Sequence, residues 1–207
     1  IKILKRKFNE VIMLIREYES ILKKLERWEN GGIKILDNGA KLICHTPHIA
    51  PKAWLHEIYA KIENHEIDEI EKKLNVKLPE DLISFLKCSN GINIFSDSLS
   101  IWGFRSSYVR RGSEVSQPYD LIALNQERKG EMPENWLIFG SYSWDGSLML
   151  YDLGQGNSKV YRCDNNAEEI IQEWDSIWSW LSIEVERLSQ LFDSKGIKHD
   201  RRMPTIP

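Results

Sequence analysis

The sequence lacks the motifs that identify the common classes of enzyme. It has no Gly-x-Ser-x-Gly nucleophile motif, no Walker-type phosphate loop and no Gly-x-Gly-x-x-Gly dinucleotide motif. Its five histidines lie within the first 65 residues or at His199, so no catalytic His is apparent beside a nucleophile. We therefore expect a protein that is not an enzyme and that needs no cofactor.

Cysteine is also scarce. Cys44, Cys88 and Cys163 are widely spaced and form no Cys-x-x-Cys pair, which argues against a disulfide scaffold and fits a reducing compartment. Cys44, His45 and His48 place three metal-ligating side chains within five residues, but zinc usually takes four ligands, commonly as two separated pairs. No second pair is present, so no metal is expected. An enzyme or metal protein built on these three residues stays open as the weakest hypothesis.

Long apolar runs are missing as well. No run approaches the roughly 18 residues that a membrane span needs. No segment joins a basic start to an apolar stretch and a small-residue cleavage site. We expect a cytoplasmic protein that does not enter a membrane.

The formal net charge of −3 conceals a strong asymmetry along the chain. Residues 1–59 carry 11 Lys and Arg against 7 Asp and Glu, residues 60–193 carry 13 against 23, and residues 194–207 carry 4 against 1. This divides the chain into an amino-terminal extension, an acidic domain and a basic tail, which we predict to be mobile. An acidic body attracts basic partners and repels nucleic acid, so direct nucleic-acid binding is not expected.

The first 28 residues have the pattern of one long helix that ends at Gly31-Gly32. Apolar residues recur at spacings of three and four, as in a heptad seam; they are Ile1, Leu4, Phe8, Val11, Ile15, Tyr18, Leu22 and Leu25. Two interpretations stay open at this point. The seam packs on the protein's own core, or residues 1–29 pair with another chain or a second copy to form a homodimer.

Helices dominate the pattern up to residue 91. A hairpin is predicted at residues 33–44 around Asp37-Asn38-Gly39, because Asn-Gly between two short apolar runs favours a tight turn. A short helical face follows Pro51 and includes Trp54, Ile58 and Tyr59. Further helices are expected at residues 64–74 and after Pro79, the second closed by Asn90-Gly91.

Strands dominate from residue 92 onward. Strands are predicted at residues 92–95, 99–102 and 121–124, followed by a meander over 136–139, 148–151 and 159–163. Helices are predicted at about 166–174 and 177–193, the latter capped by Asp175 or Ser176. The order favours an α+β fold, a curved antiparallel sheet flanked by helices with a long amino-terminal helix.

Exposed aromatic and acidic side chains at strand ends are typical of protein-binding surfaces. Trp144-Asp145-Gly146-Ser147 lies at a meander turn, where Asp-Gly also has a purely structural role in supplying positive φ. We predict partner contacts in the region 97–145. The candidate residues are Asp97, Trp102, Arg105, Tyr108, Glu131, Glu134, Tyr142, Trp144 and Asp145.

The segment Ile67–Gly91, IDEIEKKLNVKLPEDLISFLKCSNG, resembles the opening motif of the SUKH superfamily (Smi/Knr-type). The likeness extends in order over roughly residues 60–190. It includes Ser100–Gly103, Phe139-Gly140, Trp144–Gly146, Tyr151-Asp152, Val160-Tyr161, Trp174 and Trp180-Leu181. The resemblance implies a curved antiparallel sheet flanked by helices, and it leaves the long first helix outside the motif.

Bacterial members of that superfamily are commonly immunity proteins, which neutralise a toxin domain, often a nuclease, made by the same cell. The resemblance therefore implies binding to a cognate toxin. A nuclease needs a basic substrate groove, to which an acidic domain is complementary. The alternative is an intracellular regulatory or scaffold protein that self-associates through its first helix.

Overall fold

The computed structural model describes residues 2–109, 111–128 and 132–207, and their side chains from Leu14 onward. The helices in this range are α1 (Lys2–Leu25), α2 (Asn64–Leu74), α3 (Glu80–Leu86), α4 (Leu121–Gln126) and α5 (Ile177–Ser189). The strands are β1 (Ile33–Ile35), β2 (Lys41–His45), β3 (Trp54–Ile58), β4 (Ile92–Ile94), β5 (Leu99–Ile101), β6 (Trp136–Tyr142), β7 (Leu148–Asp152), β8 (Val160–Cys163) and β9 (Ile170–Trp174).

The nine strands form one open antiparallel sheet in which each strand pairs with the next along the chain. This confirms the predicted α+β class, the hairpin at residues 33–44 and the meander of β6, β7 and β8. Strands β1 to β3 come from the first 59 residues and pair with β4 from the following region. The amino-terminal extension thus contributes strands to the same sheet as residues 60–193. The division of the chain into separate domains at residue 60 stays a prediction.

The predicted helical face at residues 54–59 is wrong, because Trp54–Ile58 forms β3 between β2 and β4. Its side chains alternate between the two faces of the sheet, with His56 opposite Ile43 and Glu57 opposite Leu42. Pro51 lies in a turn before the strand. A proline followed by a short apolar segment is compatible with either structure, and strand pairing decides between them.

Two further segments have the opposite secondary structure to the one predicted. Residues 121–124 belong to α4 rather than to a strand, and Asp120 caps this helix by accepting hydrogen bonds from the amides of Ile122 (2.9 Å) and Ala123 (3.2 Å). Residues 170–174 form β9 instead of a helix, since they pair with β8 at the edge of the sheet. Both segments are short apolar runs, for which periodicity does not separate the two structures.

The long first helix is confirmed, but its buried stripe is rotated from the predicted seam. Ile21 and Leu25 are buried and Leu14, Tyr18 and Leu22 pack against the same core. Ile15, a predicted seam position, is 43% exposed. The described half of α1 therefore packs on the protein's own α3 and α5. The predicted seam residues Ile1, Leu4, Phe8 and Val11 lie outside the described side chains, and self-association through residues 1–29 stays a prediction.

The middle of the sheet has one apolar and one polar row, formed by alternate residues of the same strands. The apolar row faces α5, since Tyr142 accepts a hydrogen bond from Trp180 Nε1 at 2.9 Å. Its members are Ile43, His56, Ile94, Leu99 and Tyr142. The polar row lies on the opposite face, and its members after Leu42 are Glu57, Asn93, Ser100 and Ser141.

The basic tail has specific contacts with the body. Thr205 is buried and its carbonyl accepts a hydrogen bond from Arg187 Nη2 at 2.8 Å. The backbone of Lys198 forms an isolated antiparallel β-bridge with Phe192, which follows α5. The mobility expected for residues 194–207 stays a prediction.

Candidate functional site

A groove of about 1060 Å³ lies beside the start of α3 in the described part of the molecule. Three chain segments that are distant in sequence meet there. They are Leu14 of α1, residues 76–84 around the start of α3, and the loops that flank β6 and β7 at Glu134-Asn135 and 153–158. A groove of this size accommodates a side-chain cluster or a short segment of a partner.

The floor of the groove is apolar. Leu14, Val76 and Leu153 are each partly buried against the core, and Leu78 is buried beneath them. Leu78 and Pro79 form the part of the floor next to α3. Pro79 is the N-cap residue of α3, so the segment that connects α2 to α3 ends there. Apolar surface that remains accessible in a concavity is available for burial by a partner.

The rim of the groove carries carboxylates. Glu80, Asp81 and Glu134 line it, and Asp152 lies beside it, where its carboxylate accepts a hydrogen bond from Asn135 Nδ2. Within residues 14–109, 111–128 and 132–207 none of the four forms an ion pair. The groove therefore combines an apolar floor with carboxylates that form no ion pair among the described residues, although the Arg128 guanidinium donates to the Glu134 carbonyl at 3.3 Å.

Asp81 has a structural role in addition to its charge. It accepts hydrogen bonds from the amides of Leu82 at 3.0 Å and Ile177 at 3.4 Å, and so ties the start of α3 to the start of α5. Burial raises the pKa of Asp81, and these hydrogen bonds oppose the shift. Glu80 and Glu134 are exposed, so they are the rim carboxylates most accessible to a partner.

Lys77, which lines the groove, is already paired with a carboxylate outside the rim. Lys77 donates to Glu71 Oε2 at 2.5 Å, and the other oxygen of Glu71 accepts from the amide of Leu78 at 2.9 Å. Burial acts to raise the pKa of Glu71, but the hydrogen bonds from Lys77 and Leu78 outweigh it and lower the pKa. Lys77 thus compensates Glu71, which is largely buried, rather than the rim.

Of the predicted contact residues, Glu134 lies on this groove. Glu131 falls outside the described residues. The other acids of the rim, Glu80 and Asp81, appear in the sequence as an adjacent pair, and sequence reasoning placed them on an outward face without function. Only the packing of the 153–158 turn against α3 turns that surface into a groove, and no local sequence pattern reports such a contact.

Four predicted residues lie toward the opposite end of β6. Tyr142 ends this strand opposite Leu99, so Trp144 and Asp145 follow it beside the turn that contains Asp97. Asp145 forms an ion pair with the buried Arg162 (2.7 Å), and Lys198 of the tail lies 4.5 Å from the Trp144 ring centre. The side chain of Tyr142 is fully buried and offers no surface to a partner.

The remaining three predicted residues follow β5. Trp102 is 6% exposed, whereas Tyr108 is 65% exposed and donates a hydrogen bond to the N-cap carboxylate of Asp120. The guanidinium of Arg105 lies 5.1 Å from the Tyr108 ring centre. The predicted set is thus divided between the two ends of β5 and β6, and the structure does not gather it into one patch. Partner binding by these residues stays a prediction.

The candidate metal ligands at residues 44–48 are not arranged as a site. Cys44 is buried beside Gly31, while His45 Nε2 lies 3.0 Å from the carbonyl of Pro51. Among the described residues, no group of three or more His, Cys, Asp and Glu side chains could hold a metal ion. In the same part of the chain, no helix has both the length and the apolar character required to span a bilayer.

Comparison with known proteins identifies one family. Residues 61–183 match the sequence profile described as the SMI1 / KNR4 family (SUKH-1). The matched region begins just before α2 and ends within α5, so it includes α3, strands β4 to β9 and every residue that lines the groove except Leu14. No curated protein is significantly similar to the chain.

Proposed function

The chain belongs to the SMI1 / KNR4 family (SUKH-1), and from this membership and the groove we propose that it is an immunity protein that binds and neutralises a basic toxin. At the level of the family, membership supports an immunity-like role. The identity of the partner as a cognate bacterial toxin with a nuclease-like domain is our proposal, as are the cytoplasmic location and the absence of enzymatic activity.

The observation that carries the proposal is a rim of carboxylates, unpaired among the described residues, around an apolar floor. Charge complementarity accelerates the encounter with a basic protein, and the apolar floor supplies the surface whose burial stabilises the complex. Glu80 and Glu134 present their carboxylates from two different segments, so they can contact two cations of one partner segment. Leu14 and Leu153 then accept the apolar side chains between those cations.

This mode of binding suits the inhibition of a nuclease. A nuclease binds the phosphate backbone with lysine and arginine side chains. Carboxylates that occupy those cations compete with the nucleic acid, so inhibition requires binding and no chemistry by the inhibitor. The same complementarity makes the affinity sensitive to salt, because exposed charges are screened over about 8 Å at physiological ionic strength.

The test is co-expression with the candidate toxin, which we expect to be the carboxy-terminal domain of a large secreted protein encoded by a neighbouring gene. We expect the full chain to rescue growth and to copurify with that domain. The double variant Glu80→Gln/Glu134→Gln is expected to bind about fivefold to tenfold more weakly at low salt, since each exposed charge contributes roughly 0.2–1 kcal/mol. Titration calorimetry at two salt concentrations measures the difference.

A matched control is available on the same domain. Glu168 and Glu169 are exposed and lie in the turn before β9, away from the residues that line the groove. The variant Glu168→Gln/Glu169→Gln changes the net charge equally and is expected to keep the affinity of the native chain. Equal weakening by both variants would show that net charge alone matters, and absence of both rescue and complex would reject the immunity function.

A further inference from the structure

A second cavity, of about 420 Å³, lies between the carboxy-terminal tail and the loops at one end of the sheet. Four segments contribute to its lining, namely residues 48–49, 95–98, 143–144 and 196–205. No residue of this cavity lines the groove. Its volume falls within the range of roughly 300–1,000 Å³ that is common for small-molecule sites.

The tail side of the cavity is held by hydrogen bonds on both sides of Lys198. The Asp193 carboxylate accepts from the amides of Lys195 at 2.8 Å and Ile197 at 2.9 Å. The amide of His199 donates to the carbonyl of residue 191 at 2.9 Å. This wall is therefore part of the folded structure.

The facing wall contains an unusual turn between β4 and β5. Phe95, Ser96 and Asp97 have consecutive φ values of 53°, 55° and 63°, a left-handed conformation that residues other than glycine rarely adopt in succession. The Ser98 hydroxyl closes the turn by donating to the Phe95 carbonyl at 2.7 Å, and the amide of Ser143 donates to the Ser98 carbonyl at 3.4 Å. Backbone strain of this kind is concentrated at functional sites.

The lining of the cavity is basic. Lys198 and Arg201 line it together with His48, and none of the described lining residues is Asp or Glu. Neither Lys198 nor Arg201 forms an ion pair in residues 14–109, 111–128 and 132–207. The cavity therefore presents unpaired positive charge on a protein whose region 60–193 is acidic.

The carboxylates that neighbour the lining residues in sequence do not compensate these cations. Asp145 pairs with Arg162 at 2.7 Å, and Asp200 lies 3.4 Å from Arg202. Asp97 is exposed and does not line the cavity. An anion that enters the cavity therefore has little internal competition for its cations.

The ammonium of Lys198 retains free donors. It donates to the Met203 carbonyl and lies 4.5 Å from the Trp144 ring centre, whereas an ammonium group has three N–H donors. Burial lowers the pKa of Lys198, and the charge of Asp200 opposes this shift only in part. A partly desolvated cation without a counter-ion is stabilised by an anion supplied from outside.

From this arrangement we infer that the cavity binds the phosphate group of a small phosphate monoester. Such a group carries about −1.5 to −2 charges at pH 7, which matches Lys198 and Arg201 together, whereas a carboxylate neutralises only one of them. The Arg201 guanidinium can donate two parallel hydrogen bonds to phosphate oxygens. The exposed Ser143 hydroxyl, which bonds to no described residue, offers a further donor. The rest of the cavity accommodates the organic part of the ligand beside Trp144.

The inference is independent of the proposed function, because a small molecule tests it directly. The probe is phenyl phosphate, titrated into the isotopically labelled full chain and followed by two-dimensional NMR. We expect saturable shifts at the amides of Ser143, Lys198 and Arg201 and at the indole N–H of Trp144. Benzoate, which has the same ring and a single negative charge, is expected to bind about tenfold more weakly.

A third probe, ribose 5-phosphate, distinguishes the sources of the phosphate. An affinity equal to that of phenyl phosphate would indicate that the phosphate alone is recognised. A lower affinity, with shifts at the same residues, would indicate that the ligand has an apolar body that contacts Trp144. Either result supports a phosphate site.

The double variant Lys198→Gln/Arg201→Gln is expected to bind phenyl phosphate about tenfold more weakly, because it removes two charge-assisted hydrogen bonds. The matched control Lys195→Gln/Arg202→Gln removes two charges from the same tail at positions that do not line the cavity, and is expected to keep the native affinity. Since Lys198 also contacts the tail backbone, Arg201→Gln is measured alone and is expected to weaken binding about threefold.

Unchanged affinity in the double variant would overturn the inference. Equal weakening by the control would do the same, since it would show that the ligand responds only to the net charge of the tail. Absence of saturable shifts, or benzoate binding as tightly as phenyl phosphate, would also reject a phosphate site. These outcomes leave the toxin-binding proposal standing, since its test uses the groove variants and the partner protein.

Discussion

The apolar and polar rows of the sheet are built from adjacent residues and yet place their ionisable side chains in different surroundings. On the apolar row, the ring of His56 lies between Trp28 and Phe95, with ring centres 5.3 and 4.7 Å away, and it is kept neutral. On the polar row, the carboxylate of the next residue, Glu57, accepts a hydrogen bond from the Tyr59 hydroxyl at 3.0 Å. Both groups are desolvated, but only the second is accessible to a partner, since Glu57 is not fully buried.

The two rows contribute differently to stability. The face toward α5 consists mainly of fully buried apolar side chains, and its Glu184 pairs with Arg187 at 2.6 Å, although His56 Nε2 has no hydrogen-bond partner among the described residues. The polar row carries polar side chains that are partly exposed, such as Glu57 and Ser141. We therefore expect substitutions on the two rows to affect stability very differently.

The largest contrast is expected between Leu99→Ala and Ser100→Ala, neighbours on β5 that are 0% and 2% exposed. Leu99→Ala leaves a cavity against Tyr142 and Ile94, and we expect it to lower the free energy of unfolding by about 2 to 5 kcal/mol. Ser100→Ala removes a hydroxyl that bonds to no described residue, so a change within roughly 0.5 kcal/mol is expected. Urea denaturation measures both.

Similar losses for the two variants would break the comparison, because they would show that the polar row is also part of the structural core. A gain in stability for Ser100→Ala would sharpen it, since it would reveal the desolvation cost of the unused hydroxyl directly.

Much of this fold is predictable from local patterns. The Asn38-Gly39 turn, the Ile67 and Ile70 stripe of α2 and the cap of α5 at Ser176 each act within a few residues, and the structure confirms all three elements. The errors at residues 54–59, 121–124 and 170–174 are short apolar segments. Their structure is set by which strand or helix lies next to them, and that information is absent from the segment itself.

The candidate surfaces were less predictable. Acidity of the region 60–193 is visible in its composition, and Glu134 and Asp97 were named because they are acidic and lie near strand ends. The groove depends on segments that are far apart in sequence, such as those of Leu14 and Leu153, which line it together. A single sequence carries no periodicity that links such positions.

A smaller contrast concerns the pH dependence of stability contributed by His56. Burial lowers its pKa from 6.5 to about 3, so the unfolded chain binds a proton more readily than the folded chain between these values. The contribution of His56 to stability is therefore present above pH 6.5 and is lost as the pH falls. For this group alone we expect about 2 kcal/mol less stability at pH 5 than at pH 7.

The comparison variant is His56→Asn, whose side-chain oxygen can replace Nδ1 as the acceptor for the amide of Phe95, now at 3.3 Å. The variant is less stable overall because it is smaller, but its stability should fall less between pH 7 and pH 5 than that of the native chain. Parallel curves for the two proteins would mean that His56 is not kept neutral by the apolar row.

The smallest expected effect is the pH dependence of stability contributed by Glu57, the residue next to His56, and its sign is opposite to that of His56. Burial and the charge of Asp97 raise the pKa of Glu57 above 4.5, so the folded chain holds this proton more tightly than the unfolded chain. Stability is therefore lost as the pH rises from 4.5 through the folded-state pKa, and the loss persists at neutral pH. Glu57→Gln removes it, and we expect a gain of up to about 1 kcal/mol at pH 7 that vanishes below pH 4. Chemical denaturation at both pH values measures this gain.

A loss of stability at pH 7 would show that the hydrogen bond from Tyr59 to the carboxylate outweighs the repulsion. Glu57 on the polar row would then stabilise the fold as the residues of the apolar row do. The expected difference in stability between the two rows would be contradicted at that residue.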